Sequence, residues 1–138
     1  MALLPAVNKR ETIENVREFF DREFPRIMNM ADVTYVELKS PTISDMPGAP
    51  KHGNSNDDKF SNHAQAVYYL ECVVRAIKAM RQPHRHFMEL RYLQHKEWLE
   101  IEEITGYSTR RGMEIIEEAF LYFADRFSDT YELRVMEN

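Results

Sequence analysis

Apolar residues recur at intervals of three and four along most of this chain, the spacing that gives an α-helix one apolar face. From Lys9 to Met30 this pattern predicts a first helix, which Pro25 should weaken because proline has no backbone N–H. The apolar positions of that helix are Ile13, Val16, Phe19, Phe20, Phe24 and Ile27. The same spacing returns later in the chain, so the sequence predicts an all-α fold, a helical bundle.

One segment interrupts the pattern. Residues 40–56 read SPTISDMPGAPKHGNSN, with three prolines and two glycines in seventeen positions, which cannot sustain a helix. We interpret residues 40–54 as either a passive linker or an arm that docks on the helical domain or on a second subunit. Before this segment, Val33–Leu38 is rich in β-branched residues and predicts a short extended segment or strand.

Helical spacing resumes after the break. Asn54, Ser55 and Asn56 suit the N-cap of a long helix, and Asp57 and Asp58 suit its positive end. The apolar positions of that helix are Phe60, Ala64, Val67, Leu70, Val74, Ile77 and Met80. Gln82-Pro83 interrupts it, and Pro83 fits the first turn of a further helix that carries Phe87, Leu90 and Leu93.

The last third of the chain predicts a short helix, a turn and a longer helix. The short helix runs from Trp98 to Thr105 and carries Leu99, Ile101 and Ile104 as apolar positions. Gly106 should end it, and Ser108 should cap a helix that runs to about Phe127. The apolar positions of the longer helix are Ile115, Ile116, Ala119, Phe120, Phe123 and Phe127.

The tail alternates at Tyr131, Leu133 and Val135, which predicts one small two-stranded β element with Val33–Leu38. The length suits one domain with an N-terminal appendage. We expect an N-terminal helix and extended segment over 1–39, the arm over 40–54, a helical domain over 55–128 and a tail over 129–138.

A short helix, a Gly-Tyr-Ser turn and a longer helix over 98–127 have the geometry of a helix-turn-helix. Ile101, Tyr107, Ile115 and Ala119 would join the two helices. The second helix would present its exposed first turns to a DNA major groove, where arginine can donate two hydrogen bonds to guanine. The candidate DNA-binding residues are Ser108, Thr109, Arg110, Arg111, Met113 and Glu114. The alternative is a helical hairpin within an ordinary core.

Several blocks of the sequence are distinctive. They read LKSPTISDMPGAP from Leu38, GNSNDDK from Gly53, FMELRYL from Phe87, then Trp98, the Gly106-Tyr-Ser turn and AFLYFA from Ala119. Together these blocks resemble the ArpU family of phage-encoded transcriptional regulators. Residues 98–127 also resemble region 4 of sigma factors. The resemblance covers about a hundred residues. It implies binding to double-stranded promoter DNA and control of late phage or prophage genes.

Three positions depart from the sigma-like pattern. Glu102 occupies a place where a small residue is usual, Thr105 one where a larger apolar residue is usual, and Gly112 one where a bulky residue is usual. Glycine inside a helix costs about 1 kcal/mol relative to alanine. Either the two helices cross unusually closely or the register shifts by one residue.

The charge of the chain weighs against a general nucleic-acid-coating protein. Residues 83–138 hold twelve acidic and seven basic side chains and so carry the whole formal charge of −5. Glu114, Glu117 and Glu118 make the second helix acidic, so DNA binding could need a homodimer or contacts with RNA polymerase. The alternative function is a protein-interaction module whose degenerate helix-turn-helix contacts RNA polymerase or a phage packaging component.

Nothing in the sequence predicts catalysis, a metal site or a cofactor. No phosphate-binding glycine loop, catalytic triad or paired carboxylate motif is present, so we expect no enzyme activity. Cys72 is expected in the core, and His84 and His86 at the solvated surface. The N-terminus lacks the basic flank of a signal peptide and no apolar run reaches membrane-spanning length, so we expect a cytoplasmic protein without membrane partners.

Overall fold

The computed structural model describes residues 3–33 and 57–137, and this part of the chain is helical without a β-sheet. The α-helices are α1 (Lys9–Glu18), α2 (Phe24–Met30), α3 (Asp57–Lys78), α4 (His84–Met88), α5 (Trp98–Thr105) and α6 (Thr109–Phe127). The all-α prediction is confirmed. The 40–54 arm and the predicted capping residues of α3 lie outside the described residues.

The predicted first helix is continuous, but its hydrogen-bonding pattern changes from α to π before Pro25. A π-helical segment, Phe19–Glu23, joins α1 to α2, and the Phe24 amide donates to the Phe19 carbonyl. In an unbroken α-helix, the ring of Pro25 would clash with the carbonyl four residues earlier. The wider π turn accommodates this residue. The helix therefore continues through Pro25 to Met30.

A second π-helical segment, Glu89–Leu93, extends α4. The pattern-based prediction for this part of the chain is confirmed, since Phe87, Leu90 and Leu93 are all buried. Cys72 is buried too, in the middle of α3, as expected.

The core is built around α6, which packs on α1, α3, α4 and α5. All six of its predicted apolar positions are buried. An aromatic cluster joins the two ends of the chain, and its members are Phe19, Phe20, Phe24, Tyr92, Phe120, Phe123 and Phe127. Burial in this cluster raises the pKa of Tyr92 to about 12. The N-terminal helix thus shares its core with the C-terminal helices.

The tail does not form the predicted strand. Its backbone meets the start of α1 through one antiparallel bridge between Val7 and Met136. The Asn8 amide donates to the Val135 carbonyl at 2.7 Å, and the Glu137 amide donates to the Ala6 carbonyl at 2.9 Å. The predicted partner segment was Val33–Leu38, of which residues 34–38 lie outside the described part of the chain.

Buried side chains hold the tail in this position. Leu133 packs into the core, and the buried hydroxyl of Thr12 accepts a hydrogen bond from the Val135 amide at 2.9 Å. Asn15 Nδ2 donates to the Leu133 carbonyl at 3.0 Å. The tail is therefore held by the bridge to the residues before α1 and by contacts with α1 itself.

Within residues 3–33 and 57–137, no helix is both long and apolar enough to span a bilayer. The same residues contain no group of histidine, cysteine or carboxylate side chains that could hold a metal ion.

Candidate functional site

The predicted pair of helices begins and ends where the sequence pattern places it. Helix α5 spans Trp98–Thr105, helix α6 spans Thr109–Phe127, and the residues between them are Gly106, Tyr107 and Ser108. Gly106 has a φ of 78°, a left-handed conformation that favours glycine, and its amide donates to the Glu102 carbonyl at 2.8 Å. The connection between α5 and α6 is therefore three residues long.

Two side chains accept hydrogen bonds from the first backbone amides of α6. Ser108 is its N-cap, and Ser108 Oγ accepts from the Arg111 amide at 3.1 Å. Glu102 reaches across the turn from α5, where its Oε2 accepts from the Thr109 amide at 2.7 Å and from the Thr109 hydroxyl at 2.6 Å. These hydrogen bonds, the hydroxyl first, lower the pKa of Glu102. The Glu102 side chain thus links α5 to the start of α6 by two hydrogen bonds.

Gly112 explains how closely the helices approach. A Cβ atom at this position would lie 2.6 Å from Trp98 Cζ3 and 3.1 Å from Phe87 Cε2. Trp98 at the start of α5 therefore fills the space that a larger residue would need. Of the two interpretations of the sequence, close approach of α6 is the one that the structure supports.

Helix α5 does not bury the residues that its pattern suggested. Ile101 is buried, but Leu99 is 71% exposed and Ile104 is 50% exposed. The inward positions are instead Trp98, Ile101 and Thr105, which are three and four residues apart and share one face. Of the three apolar positions that the sequence analysis named on this helix, Leu99 and Ile104 therefore lie outside the core, because the eight-residue helix has neighbours on one side.

The residues expected to join the two helices behave differently from one another. Ile101, Ile115 and Ala119 are buried. Tyr107 is partly exposed, with its ring edge-on to Phe87 at a centroid distance of 5.3 Å.

The six candidate DNA-binding residues fall into two groups. Ser108, Arg110, Arg111, Met113 and Glu114 are exposed, whereas Thr109 is half-buried and its hydroxyl and amide are engaged by Glu102. Arg111 Nη1 lies 3.1 Å from Glu114 Oε1 and 3.8 Å from Glu118 Oε2. Among the described residues, Arg110 forms no ion pair, so its guanidinium is available to a ligand.

The carboxylates of α6 have partners that the sequence did not reveal. Arg17 of α1 lies 2.8 Å from Glu117, and His84 Nε2 lies 2.8 Å from Glu118 Oε1. The hydrogen bond with His84 holds the pKa of Glu118 below its ordinary value. The prediction of a solvated His84 was wrong, because the imidazole packs between Glu118 and the ring of Tyr122.

A similarity to a known protein spans this site. The chain is 29% identical over 129 residues to "Putative autolysin regulatory protein ArpU" of Enterococcus hirae, covering 92% of this chain and 93% of that protein. This similarity supports the resemblance to the ArpU family. The 8% of the chain outside the match is too little to omit α5 and α6, so the ArpU similarity includes most of the candidate site. No family model matches the chain, and no solved structure matches it.

Proposed function

We propose that this chain is a regulatory protein that binds double-stranded promoter DNA with a helix-turn-helix, formed by α5 and α6 and similar to region 4 of sigma factors. The observation that carries the proposal is the exposed Arg110, which lies on the first turn of α6 and has no ion-pair partner in the described part of the chain. An arginine at the start of a recognition helix can donate two hydrogen bonds to guanine.

The surroundings of Arg110 support a role in binding. Met113 and Glu114 follow it by three and four residues, so the three side chains lie on neighbouring parts of one exposed face. Methionine can contact a thymine methyl group, and a carboxylate can accept from cytosine. Ser108, Glu102 and the Trp98 ring against Gly112 fix the position of this turn of helix.

The acidic residues of α6 are compatible with this proposal. Glu114 is paired with Arg111, Glu117 with Arg17 and Glu118 with His84. These exposed pairs add little stability, but each places a donor beside a carboxylate that would otherwise repel a phosphate. The repulsion expected from the sequence alone is therefore smaller in the folded protein.

The biological setting comes from the resemblance. The relative is named as a putative autolysin regulatory protein. The resemblance to the ArpU family implies action on phage or prophage promoters, with late genes as the regulated set. We propose that the chain acts in the cytoplasm on such promoters, either as a homodimer or together with RNA polymerase.

Fluorescence anisotropy with labelled DNA fragments from the genomic neighbourhood of the gene tests the proposal. We expect selective binding that weakens steeply between two salt concentrations, because counterions are released from the phosphates. Arg110→Ala should weaken binding by about 1 to 3 kcal/mol and relax the sequence preference at one position. Arg126→Ala is the matched control, since Arg126 is an exposed arginine on the last turn of α6.

Two results would count against the proposal in different ways. Equal isotherms for Arg110→Ala and the unchanged protein would remove Arg110 from the interface. Absence of binding at low salt would reject DNA as the ligand.

A second candidate function is supported by the carboxylates at the starts of both helices. Glu97 and Glu100 form a capping box at α5, and the Glu102 carboxylate accepts a hydrogen bond from the first amide of α6. Amides at helix starts commonly bind phosphates, and here carboxylates take their place. This arrangement favours a protein-interaction module that contacts RNA polymerase or a phage packaging component, and such a module would bind no DNA at any salt concentration.

A further inference from the structure

Helix α5 has an outward strip that the DNA proposal does not use. Leu99, Glu100, Glu103 and Ile104 are two adjacent pairs one helical turn apart, which places them side by side on the face opposite Trp98 and Ile101. We call these four residues the α5 strip. Two of its members, Leu99 and Ile104, are large apolar side chains that are at least half exposed.

The charge of the α5 strip is not neutralised within the described residues. Glu103 forms no ion pair there, and Glu100 accepts only the Glu97 amide of its own capping box, at 3.0 Å. Leu99 and Glu103 are four residues apart, as are Glu100 and Ile104. Each apolar side chain therefore has a carboxylate as its neighbour along the helix.

We propose that the α5 strip is a docking surface for a basic, amphipathic protein helix. Apolar side chains of the partner would cover Leu99 and Ile104, while lysine or arginine would pair with Glu100 and Glu103. Nucleic acid does not fit this strip, because its phosphates would face two carboxylates. A second copy docked strip to strip would bring like charges together, which disfavours a symmetric dimer through this face.

This inference is independent of DNA binding through α6, because the two surfaces share no residue. The strip would also serve the second candidate function, for which it would be the contact surface.

The test is a titration of ¹⁵N-labelled full-length protein with a synthetic amphipathic helix of lysine and leucine, followed by amide chemical shifts. We expect saturable shifts centred on residues 98–105, and no binding by a peptide of the same pattern with glutamate in place of lysine. The double variant Leu99→Ser/Ile104→Ser should bind about tenfold more weakly or worse. Tyr131→Ser is the matched control, because Tyr131 is 63% exposed and lies in the tail.

A second variant keeps the test valid if the serine substitutions disturb folding. Glu100→Gln/Glu103→Gln leaves the apolar side chains in place and should remove the preference for the basic peptide over the acidic one. Shifts centred elsewhere, or equal binding by the serine variant with its helical circular dichroism intact, would overturn the proposal. So would self-association in sedimentation that the serine variant abolishes, since the occupant would then be a second copy.

Discussion

At the scale of single residues, the position of α6 depends on the absence of a side chain at Gly112. A methyl group there would lie 2.6 Å from Trp98 Cζ3, so the indole would have to move. Overpacking of this kind costs about 1 to 3 kcal/mol, and the better helix propensity of alanine offsets about 1 kcal/mol of it.

We therefore predict that Gly112→Ala lowers the free energy of unfolding by roughly 1 kcal/mol, measured by urea denaturation. The same substitution should cost less in a Trp98→Phe background, because the smaller ring relieves the clash. Equal costs in the two backgrounds would mean that Trp98 does not limit the space at Gly112.

Glu102 is the second residue that fixes α6, and its charge makes the contact dependent on pH. Its pKa is lowered in the folded protein by hydrogen bonds from Thr109. A carboxyl group whose pKa is lower in the folded than in the unfolded state stabilises the fold above the unfolded pKa. That contribution is lost as the pH falls through the folded pKa.

We predict that Glu102→Gln lowers the melting temperature at neutral pH and that the difference from the unchanged protein shrinks toward pH 3. The neighbouring Glu103→Gln serves as the control, because Glu103 has no ion-pair partner in the described part of the chain. A Glu102→Gln difference that stays constant across this range would show that the charge of Glu102 does not contribute.

At the scale of elements, the N-terminus of α6 depends on its cap. Ser108 Oγ accepts from the Arg111 amide, which would otherwise lack an intrahelical partner. Ser108→Ala should lower the free energy of unfolding by about 1 kcal/mol, whereas Ser108→Asn should cost less because asparagine caps equally well. Thermal and urea denaturation measure both variants, and equal losses would contradict a capping role for Ser108.

The two π-helical segments are a further element-scale feature. Phe19–Glu23 and Glu89–Leu93 each insert a wider turn into a helix that the sequence pattern treats as continuous. Phe20 and Tyr92, one from each segment, stack with a centroid distance of 4.5 Å. The two π-helical segments therefore contact each other through these rings.

At the scale of the whole molecule, the two ends of the chain form one structure. Leu133 is buried in the shared core, and the tail is hydrogen-bonded to Thr12 and Asn15 of α1. We predict that Leu133→Ala lowers the free energy of unfolding by about 2 kcal/mol, as for other buried leucines, while the exposed Tyr131→Ala changes it by less than about 0.5 kcal/mol. Similar losses for both variants in urea denaturation would contradict docking of the tail on the core.

Most helix bounds could be predicted from the sequence alone. Spacing at threes and fours, Gly106 and Ser108 were sufficient to predict the bounds of α5 and α6, because helix periodicity and capping depend on residues close together in the chain. The candidate DNA-binding residues were also chosen from sequence, and five of the six are exposed.

The buried face of α5 and the pairing of the charges could be seen only in the folded protein. The exposure of Leu99, the pairing of His84 with Glu118 and the reach of Glu102 to Thr109 depend on which element packs beside each side chain. The tail pairs with the start of α1 through Val7 and Met136, which are far apart in the sequence. Local sequence patterns do not predict these contacts, because the burial and pairing of a side chain depend on residues that are distant in the sequence and come close only in the folded protein.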